Sequence, residues 1–191
     1  MQRLLTGKVR LPGFKGEWEK VGFDEVFVKI SAKQHQITTL EYLNDGNIPV
    51  VDQGKEKIVA FTNNTEKLFK VPEEGVIVFG DHTREIKYID FDFVVGADGT
   101  QILKTKKGFY TKFYYYHLLI QKIPNTGYNR HFKFLKEMVF KRPTIEEQKA
   151  ISNVLSSLDL NIDLLKQEVS FLRQQKKGLM QLLLTGKVRV K

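Results

Sequence analysis

An acid placed upstream of a Glu-x-Lys pair is the smallest set that could run a magnesium-dependent nuclease. Carboxylates would hold the ion while the ammonium group offsets charge at the phosphate. Glu85-Ile86-Lys87 with Asp52 or Asp81 could be drafted for that work. The pattern is weak, because a chain with 22 acidic residues and 24 lysines supplies acid-x-Lys matches by chance, and two occur. The four histidines, His35, His82, His117 and His131, lack metal-ligand spacing. There is no phosphate-cradling G-x-x-x-x-G-K-[ST], no G-x-G-x-x-G after a strand, and no Asn-Pro of an amino-methyltransferase signature. With no cysteine, thiolate nucleophiles, Cys-ligated zinc, iron–sulfur clusters and disulfides are excluded. No catalytic residue, metal or cofactor is assigned.

The remaining chemistry suits recognition. Arg, Lys, Asn, Gln and His bond base edges in a major groove, and Arg and Lys also bind phosphates. Phe79-Gly80-Asp81-His82-Thr83-Arg84 runs from an expected strand into a polar loop. Thr126-Gly127-Tyr128-Asn129-Arg130-His131 is a second loop, carrying glycine. The candidate DNA contacts are Lys33, Gln34, Gln53, Asn63, His82, Thr83, Arg84, Lys106, Lys107, Tyr128, Asn129, Arg130 and His131. For any one of them, an ordinary solvated side chain stands as the alternative. Tyr114-Tyr115-Tyr116 could stack on bases, but a helical setting favours core packing for at least one ring.

Charge points the same way. The net charge is +9. Residues 14–100 hold 10 basic and 16 acidic groups, whereas residues 101–142 hold 10 basic and one acidic. Such a block is an electrostatic footprint for nucleic acid, or else a solvated basic face. No run of 18 apolar residues occurs and the first residues lack a signal-peptide core, so no membrane role and a cytoplasmic location are expected.

The elements that must carry these loops form an α+β domain over residues 14–142, dominated by strands. Runs at Val26–Ile30, Ile48–Asp52, Lys57–Phe61, Val76–Phe79, Ile89–Val95 and Gln101–Lys104 are β-branched or aromatic. Turn residues such as Asn44-Asp45-Gly46-Asn47 and Gly96-Ala97-Asp98-Gly99 bound them. Phe113–Gln121 and Phe132–Glu137 read as short helices.

Residues 144–185 read as one long helix within a third segment, 143–191. Thr144 is its expected N-cap, Glu147 completes a capping box, and Gly186 stops it. Ile151, Leu155, Leu158, Ile162, Leu165, Val169, Leu172, Lys176, Leu179 and Leu183 follow steps of four and three. That is a coiled-coil seam. The chain has no second long helix to face it, so the expected partner is a second copy. A helix packed along its own domain is the alternative.

The ends of the chain repeat. Met1-Gln2-Arg3-Leu4-Leu5-Thr6-Gly7-Lys8-Val9-Arg10 recurs at residues 180–189 with nine of ten positions identical, the exception being Arg3 against Leu182. Residues 1–13 therefore read as a short joint, and the chain as one period of a longer tandem.

Pro143-Thr144-Ile145-Glu146-Glu147-Gln148 with Ile151, Leu155, Asp159 and Ile162 resembles the conserved helix of type I restriction–modification specificity subunits. So does the finish from Lys177 to Lys187. The joint continuing into Leu11-Pro12-Gly13-Phe14 and Trp18 is similar to that between the two halves of such a subunit. The Phe79–Arg84 loop and the Tyr128–Phe132 stretch resemble one class of its target-recognition domains. The resemblance implies two recognition domains separated by two antiparallel helices, each domain reading half of a bipartite site in double-stranded DNA. It implies a non-catalytic subunit that recruits adenine-methylating modification subunits and, through them, restriction subunits. This chain has one domain and one helix, so the expectation is a half subunit. Two copies would pair through the seam and read an interrupted palindrome. The alternative is a coiled-coil scaffold that binds nucleic acid without sequence preference.

Overall fold

A computed structural model describes residues 1–96, 98–127 and 129–189. It is an α+β structure, as the sequence implies, and the chain separates into two compact units, Met1–Ser152 and Asn153–Lys191.

Among its described residues the first unit has nine short strands and four short α-helices, besides 3-10 turns. In chain order these are α1 (Gln2–Leu5), β1 (Glu19–Gly22), α2 (Phe23–Val26), β2 (Phe27–Ile30), β3 (Ile48–Val51), β4 (Ala60–Thr62), β5 (Val76–Gly80), β6 (Ile86–Ile89), β7 (Val94–Val95), β8 (Thr100–Thr105), α3 (Thr111–Leu119), α4 (Phe132–Lys136) and β9 (Val139–Arg142). A four-stranded antiparallel sheet has the order β2-β8-β5-β6, and a three-stranded sheet the order β4-β3-β7 with β3 and β7 parallel. β1 and β9 form a separate antiparallel ribbon.

The apolar residues of these strands explain the packing. Val51, Val76, Val78, Ile89, Phe93, Val95 and Ile102 join Phe69 in one buried cluster, while Ile37, Ile48, Val50 and Val94 form another. Aromatic edges fill the space by α3. Tyr114 meets Phe27 with ring centroids 5.9 Å apart and Phe140 at 6.1 Å. Tyr114 and Tyr116 are buried and Tyr115 half-buried, so the tyrosine run packs inward as its helical setting requires.

Three expectations change. Ile89–Val95 is not one strand. Asp92 turns the chain between β6 and β7, accepting the Val71 amide at 2.9 Å and the Lys70 ammonium at 2.7 Å. Those bonds also hold its carboxyl below the usual range. The Lys57–Phe61 run yields only β4, displaced to Ala60–Thr62. β1 and β9 have no counterpart among the expected strands.

The second unit is helical. The long helix α5 runs Ile145–Leu184 without a break, starting in the first unit. Thr144 caps it, its hydroxyl accepting the Glu147 amide at 3.4 Å. The other half of the expected capping box is replaced. The Glu147 carboxylate is wholly buried and accepts a two-pronged Arg10 guanidinium at 2.6 and 2.7 Å, plus the Trp18 indole at 3.0 Å. A charge-assisted fork outweighs a single bond to a neutral amide. Buried Gln148 bonds outward too, accepting the Tyr110 amide at 2.8 Å and donating to Pro143 O at 2.9 Å.

Candidate nucleic-acid interface

Strand order brings distant loops to one end of the four-stranded sheet. Ile30, at the close of β2, pairs with Ile102, and Gly80, at the close of β5, pairs with Thr100. The segment after β2, the turn after β5 and the approach to β8 therefore share that end. The parallel pairing of Val51 with Val95, and the Gly96 amide on Val51 O at 2.9 Å, add the segment after β3.

Side chains lock these loops together. The His82 amide donates to Gln53 Oε1 at 3.2 Å, and the Thr83 hydroxyl donates to Gln53 O. The Asp81 amide donates to Gly99 O at 2.7 Å. Gln36 Nε2 donates to Asp98 Oδ1 at 2.8 Å, tying down the turn that carries Lys33 and Gln34. Gly99 sits at φ +83°, where a Cβ would lie 2.7 Å from Gln53 Oε1 and 2.8 Å from His82 Cδ2. Only glycine fits that backbone in that space.

Asp81 recruits the basic loop. Its buried carboxylate accepts the Phe132 amide at 2.8 Å. Its carbonyl accepts the His131 amide at 2.8 Å and lies 2.9 Å from His131 Nδ1. The Arg84 guanidinium reaches Ile123 O at 3.5 Å, closing the other end of that loop.

The expected contacts now sort by position. Lys33, Gln34, Thr83, Asn129 and Arg130 are exposed on the converging loops, with Gln53, His82 and Arg84 half-buried among them. His131 is fully buried and belongs to the framework, which corrects its assignment as a contact. Three others lie elsewhere. Asn63 accepts the Asn47 amide at 3.0 Å beside the start of β3, the strand end opposite Gln53. Lys106 and Lys107 follow the far end of β8, and the Lys106 ammonium donates to Asp24 O at 2.6 Å. Tyr128 lies outside the described residues. On the seam, Ile151 and Leu155 are buried within this single chain, so they are not open to a partner. Leu158, Ile162, Leu165, Val169, Leu172, Leu179 and Leu183 are each between 43% and 60% exposed.

Sequence reasoning missed two anchors. Asp81 was legible only as a possible metal ligand, and nothing local marked it as the post of the basic loop. Lys87 is buried, donating to Asp52 O at 2.9 Å and to Glu56 O, with Asp52 Oδ1 at 3.7 Å. Burial lowers its pKa, opposed by the Asp52 and Glu85 carboxylates. Its ammonium thus closes the loop after β3, a structural task that accounts for the Glu-x-Lys pattern. Among the described residues no group of three His, Asp or Glu is placed to hold a metal.

Arg84 stands out within the cluster. Its φ of +64° makes it the one non-glycine residue in the left-handed region among those described. Its Nε is buried and has no acceptor among the described residues. Strain of that kind costs about 1–3 kcal/mol and collects at functional positions.

Comparison with known proteins agrees with this architecture. The family profile described as "Type I restriction modification DNA specificity domain" matches residues 15–172. The putative type I restriction enzyme MjaX specificity subunit of Methanocaldococcus jannaschii is 28% identical across 92% of this chain and 44% of its own length. The EcoR124I/EcoR124II specificity subunit of Escherichia coli is 25% identical over 60% of this chain and 28% of its own. A crystal structure of the specificity subunit from M. genitalium shares the fold with a TM-score of 0.66 at 19% identity, covering 92% of this chain and 47% of that one. The chain thus spans less than half the length of these relatives. No helix of the described residues is long and apolar enough to cross a membrane. With its profile match over most of the chain, this protein belongs to the type I restriction–modification DNA specificity family.

Proposed function

We propose that the Met1–Ser152 unit reads one half of a bipartite site in double-stranded DNA, with residues 14–142 as its recognition domain. The observation that carries this is the convergence of Lys33, Gln34, Gln53, Thr83, Arg84, Asn129 and Arg130 on one loop cluster. Four chain segments, far apart in sequence, meet there with Lys33, Gln34, Asn129 and Arg130 exposed. Arg84 supports a built cluster, since its strained backbone and its Nη1 bond to Ile123 O brace the turn after β5 against the basic loop. Non-catalytic recognition fits the groups present, because Asp81 is taken up by the Phe132 amide and Asp98 by Gln36 Nε2.

The exposed seam from Leu158 to Leu183 supports pairing of α5 with a second copy. Such a dimer presents two recognition units related by a two-fold axis and reads an interrupted palindrome. It recruits adenine-methylating modification subunits and, through them, restriction subunits. The test is selection from a random DNA pool by the chain co-expressed with its methyltransferase. An enriched two-part palindrome is expected. No enrichment at physiological salt would overturn sequence recognition, and an asymmetric motif would overturn the two-fold pairing.

A further inference from the structure

The two copies of the terminal repeat have the same shape and opposite fates. In the first, the Thr6 hydroxyl donates to Gln2 O at 2.9 Å, Gly7 N to Leu4 O at 3.2 Å and Val9 N to Arg3 O at 3.0 Å. In the second, the Thr185 hydroxyl donates to Gln181 O at 2.6 Å, Gly186 N to Leu183 O at 3.1 Å and Val188 N to Leu182 O at 3.3 Å. Gly7 and Gly186 turn the chain at φ +72° and +69°. Both are the same helix stop, with the backbone crossing into the left-handed region at glycine.

Their surroundings differ. Leu5 is fully buried, whereas its equivalent Leu184 is 82% exposed. Arg10 forks onto Glu147 and lies 5.3 Å from the centre of the Trp18 ring. Gly7 approaches that ring so closely that a Cβ would lie 3.3 Å from it. The equivalents Gly186 and Arg189 are exposed. Glu147, Trp18 and the cover over Leu5 thus form a socket fitted to this ten-residue motif, and the chain carries the motif twice.

We propose that the socket recognises the motif rather than the chain start, and that residues 180–189 of a second copy occupy it in exchange for residues 1–10. The proposal rests on the self-association reading above. A chain's own second copy cannot serve, because about ten turns of unbroken helix separate Glu147 from Thr185. A second chain can deliver it. Antiparallel pairing of the exposed seams sets Leu183 opposite Leu158 of the other copy, eleven residues from Glu147, or about 16 Å of helix. That is under a third of the roughly 57 Å of helix between Glu147 and Thr185 of the same chain. The two copies exclude each other, since one guanidinium fork engages both Glu147 oxygens.

Exchange predicts opposite signs for two equivalent substitutions. Arg189→Ala should weaken self-association about tenfold, the scale of one lost charge-assisted fork. Arg10→Ala removes the competitor and should strengthen it, with Arg10→Lys as a milder variant should the alanine form fold poorly. Light scattering across a concentration series reads both. Trp18 is the only tryptophan, so its emission reports the socket directly. Titrating the Arg10→Lys chain with a Trp18→Phe chain should shift that emission saturably, and Arg189→Ala in the added chain should abolish the shift. Association that leaves Trp18 unmoved, or that responds equally to both substitutions, would overturn the exchange and leave seam pairing standing. No association at any concentration would overturn both.

Discussion

Truncating Arg10 to alanine would test whether the start of the chain is a structural member of the Met1–Ser152 unit. Glu147 is wholly buried and its carboxylate accepts three bonds, two from Arg10 and one from Trp18. After truncation only the Trp18 bond at 3.0 Å remains to a buried charge. Removing one partner of a buried pair costs about 3–5 kcal/mol. The Arg10 side chain is 23% exposed, so water reaches the vacated position and the low end, about 3 kcal/mol, applies. Glu147→Gln keeps an oxygen for the indole and leaves Arg10 near solvent, so it should cost less, about 1–2 kcal/mol.

Urea unfolding of the single and double variants closes a double-mutant cycle. The double variant should lose clearly less than the sum of the singles, because both remove the same pair. Thermal midpoints should follow, falling by about 6–12 °C for Arg10→Ala at the scale of a unit this size. A cost under about 1 kcal/mol for Arg10→Ala, or strict additivity, would show that the fork does not hold the joint to the helix.

Burial beside Lys141 pushes the His117 pKa down to about 4, burial being the larger cause. The unfolded chain then binds the extra proton between pH 6.5 and 4, so stability is full above that window and falls as the pH drops through it. Urea midpoints should register a loss of about 3 kcal/mol, and an unchanged pH slope in His117→Gln would refute the assignment. Gly99→Ala should cost at least about 1–2 kcal/mol for the positive φ, and should lower DNA affinity at a temperature where the unit stays folded. Unaltered DNA binding there would detach Gln53 and His82 from the interface. Leu165→Asp should abolish self-association in light scattering while leaving the unfolding of the recognition unit unchanged. Arg130→Ala should relax discrimination at one base position by about 1–3 kcal/mol in competition binding, and a loss uniform across sequences would place the guanidinium on phosphate instead.

The parts of the fold written in local pattern were legible. β5 and β8 are β-branched runs between turn residues, and α5 declares itself by its cap and heptads. The β1–β9 ribbon was not. Glu19-Lys20-Val21-Gly22 and Val139-Phe140-Lys141-Arg142 are half charged, and their pairing joins residues more than a hundred positions apart. Ile89–Val95 misled because Asp90 and Asp92 break an otherwise apolar run, and the turn that Asp92 makes depends on Lys70 and Val71 elsewhere in the chain. Heptad spacing located the seam but not its open length, since Ile151 and Leu155 keep the same period while their own chain covers them.

The site divides on the same principle. Residue type announced the polar loops, but which loops meet follows from the order β2-β8-β5-β6, which no single segment contains. That order, with the β3–β7 pairing and the Asp81 bonds to residues 131 and 132, makes neighbours of the Lys33, Gln53, Arg84 and Asn129 loops and leaves Asn63, Lys106 and Lys107 at other strand ends. His131 has the chemistry of a base reader and the position of a strut.

The framework and the presented side chains therefore answer to different constraints. Asp81, Lys87 and Gln53 bind loop backbone, and Asp81 and Lys87 are buried, so replacing either leaves backbone donors or carbonyls unsatisfied. Lys33, Gln34, Asn129 and Arg130 are exposed on loops that the Asp81 bonds and the Gln36–Asp98 bond hold. Exposed positions of that kind usually change stability by less than about 0.5 kcal/mol. On the proposed function, a cluster built this way can alter its outward residues, and with them the bases it prefers, while the anchors keep the geometry. Arg84 is the exception, because its side chain braces Ile123 O while its own backbone carries strain. A glycine there relieves the turn after β5 and frees Ile123 O together, so its effect on unfolding should be smaller than either change alone.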